Sequence, residues 1–597
     1  MPQGSTAVQA FSDRRPELTA RTRRIRRFAV PRWMVERAAE RRLAGDWRGA
    51  CAAANMDVTV DLAAIRAEHG ADVAARVEDD LRHLVPDLVR WHAPRVGPTR
   101  TTLTPGQALV LNDYGLHGEN APRLHITPHR WLFQASQRMT LHFGPVVMRD
   151  STHICTDYVH TGFWRGIVQS WAGARHLWDA RHTGELRERC GGDAGRAPFL
   201  NPDGTPRAEA ELPTADPGPD DPAGHAEWVT MLHERGEVEA AFAAAGIELI
   251  LGPRPEGYSK WYTVGPLDQL ARMPLALTRL EPELRRLGGG RFQIPWTQHS
   301  AVLLDHDGDR RLRAGVVEFD GYDENEHQDQ QELHEGEVLA EAVWRRLPDL
   351  GALRDGRLPP EWLHPLVHDA LLPGREARAG RDDLPWGPPE PQAPAPVRVR
   401  CRGEWHEIGF RDGVLTVPHS AQEQEREKAL EALGGDVGGC FAVRKAWRTG
   451  KGRLPKTLRE QRQEIFDRAH HGDTPGLVKL LDLGIDPHVR DGYGRTLLHL
   501  LHLVDFETLL PRLLEAGLDI EAVEQGEQQQ PRTALHRAVE LDGSVELIKA
   551  LLDAGARIDL LDEEETTIIR LIWRAGRRDL EWLEERIGEE HPDLMEY

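Results

Sequence analysis

The chain is 597 residues long, 40% hydrophobic and 29% charged, with a formal net charge of −21. That length exceeds one hydrophobic core and predicts about three to five domains. The acidic balance argues against the whole chain as a general binder of nucleic acid or anionic membrane.

In chain order, residues 1–32 carry eight Arg against Asp13 and Glu17, a local net charge of +6. Residues 1–26 read as a disordered Arg-rich arm. A tether to nucleic acid is the functional alternative for it. It has no apolar h-region and so is not a secretory signal. No window of about 18 apolar residues is present to span a bilayer, so no membrane association is expected.

Residues 27–190 read as an α+β module. Trp33–Leu43 and Trp47–Ala54 form a helical hairpin broken at Gly45-Asp46, and Asp72–Trp91 is helical at least to Pro86. Leu109–Leu111, Leu124–Ile126 and Met139–Val147 have the short, β-branched texture of strands. Phe163–Arg189 reads as helix again. Residues 191–223, rich in Gly, Pro and Asp, read as a linker.

Residues 224–372 read as a second, related α+β module in tandem with the first. Gly236–Leu249 (GEVEAAFAAAGIEL) echoes Gly45–Val58 (GDWRGACAAANMDV) at an offset of 191. Leu277–Leu287 echoes Leu81–Trp91 at 196, and Ala301–Asp305 echoes Ala108–Asn112 at 193. Ser300–Asp305 and Leu312–Phe319 flank an Asp-Gly step and predict a hairpin. Glu332–Leu347 reads as helix. A Pro-rich linker, 373–396, follows. Residues 397–453 then form a small β-rich piece with a helix at Glu423–Leu433, turning at Arg402-Gly403 and Asp412-Gly413; Cys440–Trp447 reads as one more strand.

The C-terminal part repeats itself most clearly. Thr496-Leu497-Leu498-His499 recurs as Thr533-Ala534-Leu535-His536. Leu-Leu-x-x-Gly tails end at Gly484, Gly517 and Gly555. This pattern resembles the ankyrin repeat. The resemblance implies an all-α solenoid over 455–597 of about four units, each a turn plus two antiparallel helices that must stack on neighbours to bury their apolar faces. It also implies protein–protein interaction through finger tips and concave helices. The matching positions are Arg490, Tyr493 and Arg495; Gln528 and Gln529; Arg537, Glu540 and Asp542; and Glu563 and Glu564. His499 and His536 are expected to bond between neighbouring turns rather than to bind a partner.

Candidate chemistry is sparse. Five cysteines stand at 51, 155, 190, 401 and 440, none in C-x-x-C, and read as reduced thiols in a cytoplasm. His153, Cys155 and His160 have metal-ligand types but a spacing that splits them across a strand. Asp305-x-Asp307-x-Asp309 fails the calcium-loop pattern at Arg310 and Val316. No catalytic or cofactor motif is found, so no cofactor is expected. The favoured reading is a cytoplasmic, multidomain protein-interaction protein with a partner of unknown identity. An enzyme or toxin-related effector, with its site in 27–372 and the repeats as targeting arm, is the alternative.

Overall fold

A computed structural model describes residues 11–96, 101–118, 120–129, 137–146, 151–154, 162–164, 167–251, 265–297, 300–306, 311–318, 337–373, 390–393, 395–433, 435, 437–524, 532–561 and 566–596. The chain divides into two compact units, one of Met1–Leu132 with Arg138–Pro388 and one that holds Pro389–Tyr597.

The first unit opens with helices α1 (Phe11–Phe28), α2 (Arg32–Leu43) and α3 (Trp47–Ala53), then β1 (Met56–Val58), α4 (Leu62–His83) and α5 (Pro86–His92). Asp46 caps α3 by accepting from the Gly49 N–H, Asp61 caps α4, and Gly70 breaks α4 into two segments. Strands β2 (Gln107–Asn112), β3 (Arg123–Pro128), β4 (Met139–Gly144), β5 (Ser151–Ile154), β6 (Gly162–Trp164) and β7 (Ile167–Ser170) follow, then the short α6 (Leu186–Arg189). The second half holds α7 (Pro222–Glu234), α8 (Val238–Ala244), β8 (Glu248–Ile250), α9 (Pro266–Arg272), α10 (Leu277–Arg286), β9 (Gly290–Thr297), β10 (Ser300–His306), β11 (Arg313–Glu318) and β12 (Glu337–Val338). It closes with α11 (Glu341–Trp344), α12 (Pro348–Arg354) and α13 (Pro365–Leu371).

One five-stranded sheet has the order β1-β4-β3-β2-β7 and another β12-β9-β10-β11-β8. In each, the outer pairs are parallel and the inner pairs antiparallel. The expected hairpin pairs Ser300 with Glu318 through Asp305 with Arg313. A single hydrophobic core runs from Ile25 to Leu372 through both halves.

Several expectations give way to the structure. The arm is helical from Phe11. Buried Arg26 donates through Nε and Nη2 to Asp349 at 2.7 and 2.9 Å, so this part of the charge run is drawn into the core by a partner far along the chain. The stretch 191–223 is packed: buried Glu227 on α7 accepts from the Phe199 N–H at 2.6 Å and from Arg196 and Arg207 at 2.5 and 2.8 Å. Ile167–Ser170 is a strand rather than helix, because it completes the sheet beside β2 and lets Trp171 and Trp178 fill the core. Of the expected helix Glu332–Leu347, the described part is β12 and the four-residue α11; the Leu339 N–H donates to the Gln293 carbonyl of β9 instead.

The echoed stretches take different places in the structure. Pro86 starts a helix, whereas Pro282, 196 residues on, lies inside one. The Val85 N–H donates to the Trp178 carbonyl, and the Ala276 N–H to the Trp344 carbonyl. Ala108–Asn112 lies in β2, next to the sheet edge, and Ala301–Asp305 lies in β10, the central strand of its sheet.

The second unit starts with a meander of β13 (Val397–Cys401), β14 (Glu404–Arg411) and β15 (Val414–Thr416). Its two turns hold Arg402-Gly403 and Asp412-Gly413, all four with positive φ, as a tight twisted hairpin requires. Helices α14 (Ala421–Ala432) and α15 (Gly439–Thr449) follow. Cys440–Trp447 is thus helix and not strand: Cys440, Val443 and Trp447 recur on one buried face at the helical period. Among the described residues four helix pairs follow: α16 (Lys456–His470) with α17 (Thr474–Asp482), a 3₁₀ segment Leu497–Leu503 with α18 (Phe506–Glu515), α19 (Ala534–Glu540) with α20 (Val545–Asp553), and α21 (Ile568–Ala575) with α22 (Glu581–Glu590). One core joins the meander to all four pairs. The Asp486 carboxylate accepts from the Leu415 N–H at 3.0 Å, and the Arg490 N–H donates to the Trp447 carbonyl at 3.0 Å. Gly450 ends α15 with a left-handed φ, so close to the Asp491 carbonyl that a Cβ would stand 1.8 Å from that oxygen.

Candidate functional site

A finger leads into each helix pair after the first, and the sequence fixes the start of the helix that follows it locally. Thr496 and Thr533 bond the imidazoles three residues on, with Thr496 Oγ1 to His499 Nδ1 at 2.9 Å and Thr533 Oγ1 to His536 Nδ1 at 2.8 Å. His499 Nε2 then donates to the Arg532 carbonyl at 3.0 Å, 33 residues away in the next unit. Burial pushes the His499 pKa down to about 3, so the ring stays neutral and keeps one nitrogen as acceptor. This is the expected role between neighbouring turns.

The arginines that motif position marks as partner-binding are committed inside the array. Arg495 is buried, with its Nε on Asp491 at 2.8 Å and its guanidinium 4.9 Å from the Tyr493 ring centroid. Arg490 donates to the carbonyls of Gly494 and Val523 at 2.5 and 2.6 Å, bridging the first finger to the second. Arg537 is buried against Glu524, at 2.8 Å for Nη2, and also pairs with Glu540 at 2.9 Å. Asp542 sits at positive φ in the turn between α19 and α20. Gln528, Gln529, Glu563 and Glu564 lie outside the described residues.

Tyr493 is different: it is 48% exposed on the first finger. Val523 and Leu561 are exposed on the next two, at 41% and 46%. Val523 and Leu561 share a place with Arg490, six residues after Gly517, Gly555 and Gly484. Sequence reading passed over both because a lone apolar residue in a polar loop carries no motif; comparing the same position across fingers is the signal that finds them. The fingers are tied to one another by Arg490 and by the Arg557 N–H, which donates to Glu521 at 2.8 Å, so this edge is held as one surface.

Elsewhere, charged clusters are internally paired. Asp80 accepts from Asn112 at 2.9 Å and from the Tyr114 hydroxyl at 3.0 Å, while Arg175 and Arg181 hold Asp179 at 2.6 and 2.8 Å. Burial and the Asp80 charge push the Tyr114 pKa up, so that phenol is a donor and not a base. A cavity of about 180 Å³ in the first unit is lined by Arg21, Arg26, Arg95 and Arg279 with Glu234 and Glu341. Cys155, His160 and the His153 side chain lie outside the described residues. Among the described residues, metal-ligand types converge instead at Cys401, His406, His419 and Cys440. No described helix is long and apolar enough to cross a membrane. A family model described as ankyrin repeats (3 copies) matches residues 466–562, and the C-terminal part of this chain is therefore an ankyrin-repeat array.

Proposed function

We propose that the chain is a protein-interaction protein whose ankyrin array holds a partner along its finger edge. Ankyrin repeats are in general protein-interaction modules, and the observation that carries the reading here is the row of exposed apolar side chains, Tyr493, Val523 and Leu561, on three consecutive fingers. A few residues carry most of the energy of such contacts, tyrosine prominent among them, while their neighbours exclude water. The buried arginines serve this reading indirectly, as the struts that hold the fingers in line.

The test is co-purification of partners with the full-length chain against the Val523→Asp and Leu561→Asp variants. Both sites are solvent-exposed, so each variant is expected to keep the wild-type melting temperature. Each is expected to lose the same specific proteins by roughly tenfold or more, the loss of about 1.4 kcal/mol or more that an anchor residue carries. Unchanged recovery from a doubly substituted, folded chain would refute the finger edge as the binding surface.

We infer further that 27–190 and 224–372 descend from one α+β module. The support is the shared order of five strands with the same parallel and antiparallel senses, each sheet preceded by a helical hairpin, together with the equivalent Val85–Trp178 and Ala276–Trp344 bonds.

A further inference from the structure

We propose that Cys401, His406, His419 and Cys440 form a structural zinc site that pins the meander to α15 at the start of the second unit. The four potential ligand atoms all lie within 4.8 Å of one another. They come from four separate local structures: the end of β13, the body of β14, the residue before the cap of α14, and the first turn of α15.

The distances among them have the form of a coordination shell. His406 Nδ1 stands 3.2 Å from His419 Nε2, Cys401 Sγ 3.6 Å from His419 Nε2, and Cys440 Sγ 3.5 Å from His406 Nδ1. Around a tetrahedral zinc with ordinary bond lengths, two nitrogens lie about 3.3 Å apart and a nitrogen and a sulfur about 3.6 Å apart. A metal-free hydrogen-bonded cluster is the competing account, and it leaves the cluster poorly satisfied. His406 Nδ1 faces both His419 Nε2 and Cys440 Sγ, and His419 Nε2 faces both His406 Nδ1 and Cys401 Sγ. One proton on a ring nitrogen serves one neighbour, whereas a single cation serves all four lone pairs.

The local chemistry positions each ligand. The positive-φ Arg402-Gly403 turn folds β14 back so that Cys401 pairs with Glu404 and His406 with Val399. Ser420 and Glu423 cap α14, with the Ser420 N–H and hydroxyl both 2.9 Å from the Glu423 carboxylate, which fixes the backbone beside His419. The same carboxylate stands 3.7 Å from His419 Nδ1, on the side of the ring away from the cluster, where a metal-bound imidazole commonly has an acidic neighbour. Gly439 has a φ of +57°, and a Cβ there would lie 2.5 Å from Cys401 Sγ. Only glycine lets the helix that carries Cys440 begin against the other thiol.

Both thiols are buried. Two thiolates and two neutral imidazoles are a donor set that suits zinc, and four protein ligands leave no open position for substrate. The site is therefore a brace and not a catalytic centre. Zinc displaces the two thiol protons on binding, so occupancy falls as pH is lowered.

The test uses the full-length, untagged chain purified under reducing conditions, with zinc measured by plasma mass spectrometry. The expected content is about one zinc per chain, falling at least tenfold in Cys401→Ser and in Cys440→Ser and unchanged in Cys51→Ser. Since loss of a ligand can unfold this region, His406→Cys supplies the second arm. It keeps four ligands and is expected to retain zinc and, loaded with cobalt(II) instead, to give tetrahedral visible bands with stronger thiolate charge transfer than wild type. A folded wild-type chain that holds no zinc after equilibration with the metal would overturn the proposal. So would zinc that persists in both serine variants, or a Cys401–Cys440 disulfide in the reduced preparation.

Discussion

Asp349 has no exposed side-chain surface, and three groups spend their polarity on it: Arg26 through Nε and Nη2, and the Trp91 indole N–H at 3.0 Å. The third guanidinium nitrogen, Nη1, donates to the Trp91 carbonyl at 2.5 Å, and the guanidinium carbon lies 3.9 Å from that ring's centroid. Replacing Asp349 by Ala leaves a buried cation without its counter-charge, which costs about 3–5 kcal/mol, whereas the double change Arg26→Met with Asp349→Leu removes both charges and recovers much of that loss. Denaturant unfolding of the full chain measures both. A loss under about 1 kcal/mol in Asp349→Ala would show that water reaches the pair. None of this was legible in the sequence, where Arg26 is one member of a basic run. Its partner lies 323 residues away, and local spacing holds no information about pairings made across a fold. The zinc ligands were hidden for a related reason. Cys401 and Cys440 are separated by a strand pair and a helix, so no short Cys-x-x-Cys motif betrays them, whereas ligand types are dense in the His-rich stretch around His153.

At the scale of elements, the repeats were readable because each carries its own start and stop. Thr533 accepts from the His536 N–H and Ser544 from the Leu547 N–H, and glycine closes the second helix of the first three pairs. The errors fell where tertiary pairing overrides local pattern. Ile167–Ser170 has helical spacing to its Trp neighbours yet is recruited as a parallel strand by β2, and Cys440–Trp447 is a short, largely apolar run that passes for a strand while its buried face runs at the helical period. The neutral, buried His499 makes the array sensitive to acid. Burial depresses its folded pKa to about 3, below the ordinary imidazole value of about 6.5, so its neutral form is favoured by folding. That contribution is fully present above the unfolded pKa and is lost progressively as pH falls from about 6.5 toward 3. Between pH 7 and pH 5 the array should lose about 2 kcal/mol from this residue alone. Unfolding curves of wild type and His499→Gln at the two pH values check it. The variant starts less stable and should show a shallower pH dependence by about that amount, and parallel pH profiles would mean that His499 is not the titrating group.

At the scale of the whole molecule, the cores set a different partition from the one that composition suggests. Linkers and texture changes divide the chain into seven stretches, with 27–190, 224–372, 397–453 and 455–597 as separate globular pieces. Among the described residues the packed interiors number two. One runs through both halves of the first unit and includes Ala197 and Leu200 from the stretch expected as linker, and the other joins Val397, Cys401 and Trp447 to the helices of the array. A continuous apolar core unfolds as one cooperative unit, because exposing part of it strips contacts from the rest. Denaturant titration of the full chain followed by hydrogen exchange should therefore resolve two major transitions. Peptides from 397–450 should lose protection together with those from 456–560, and peptides from 33–92 together with those from 265–297. Zinc removal with a chelator should move only the transition that contains Cys401 and Cys440, since a metal that binds the folded state alone stabilises only the unit that holds it. Independent early exchange of 397–450 would break this partition: the meander would then be a separate domain, and the bonds from Leu415 to Asp486 and from Arg490 to Trp447 would be contacts between domains and not part of one core.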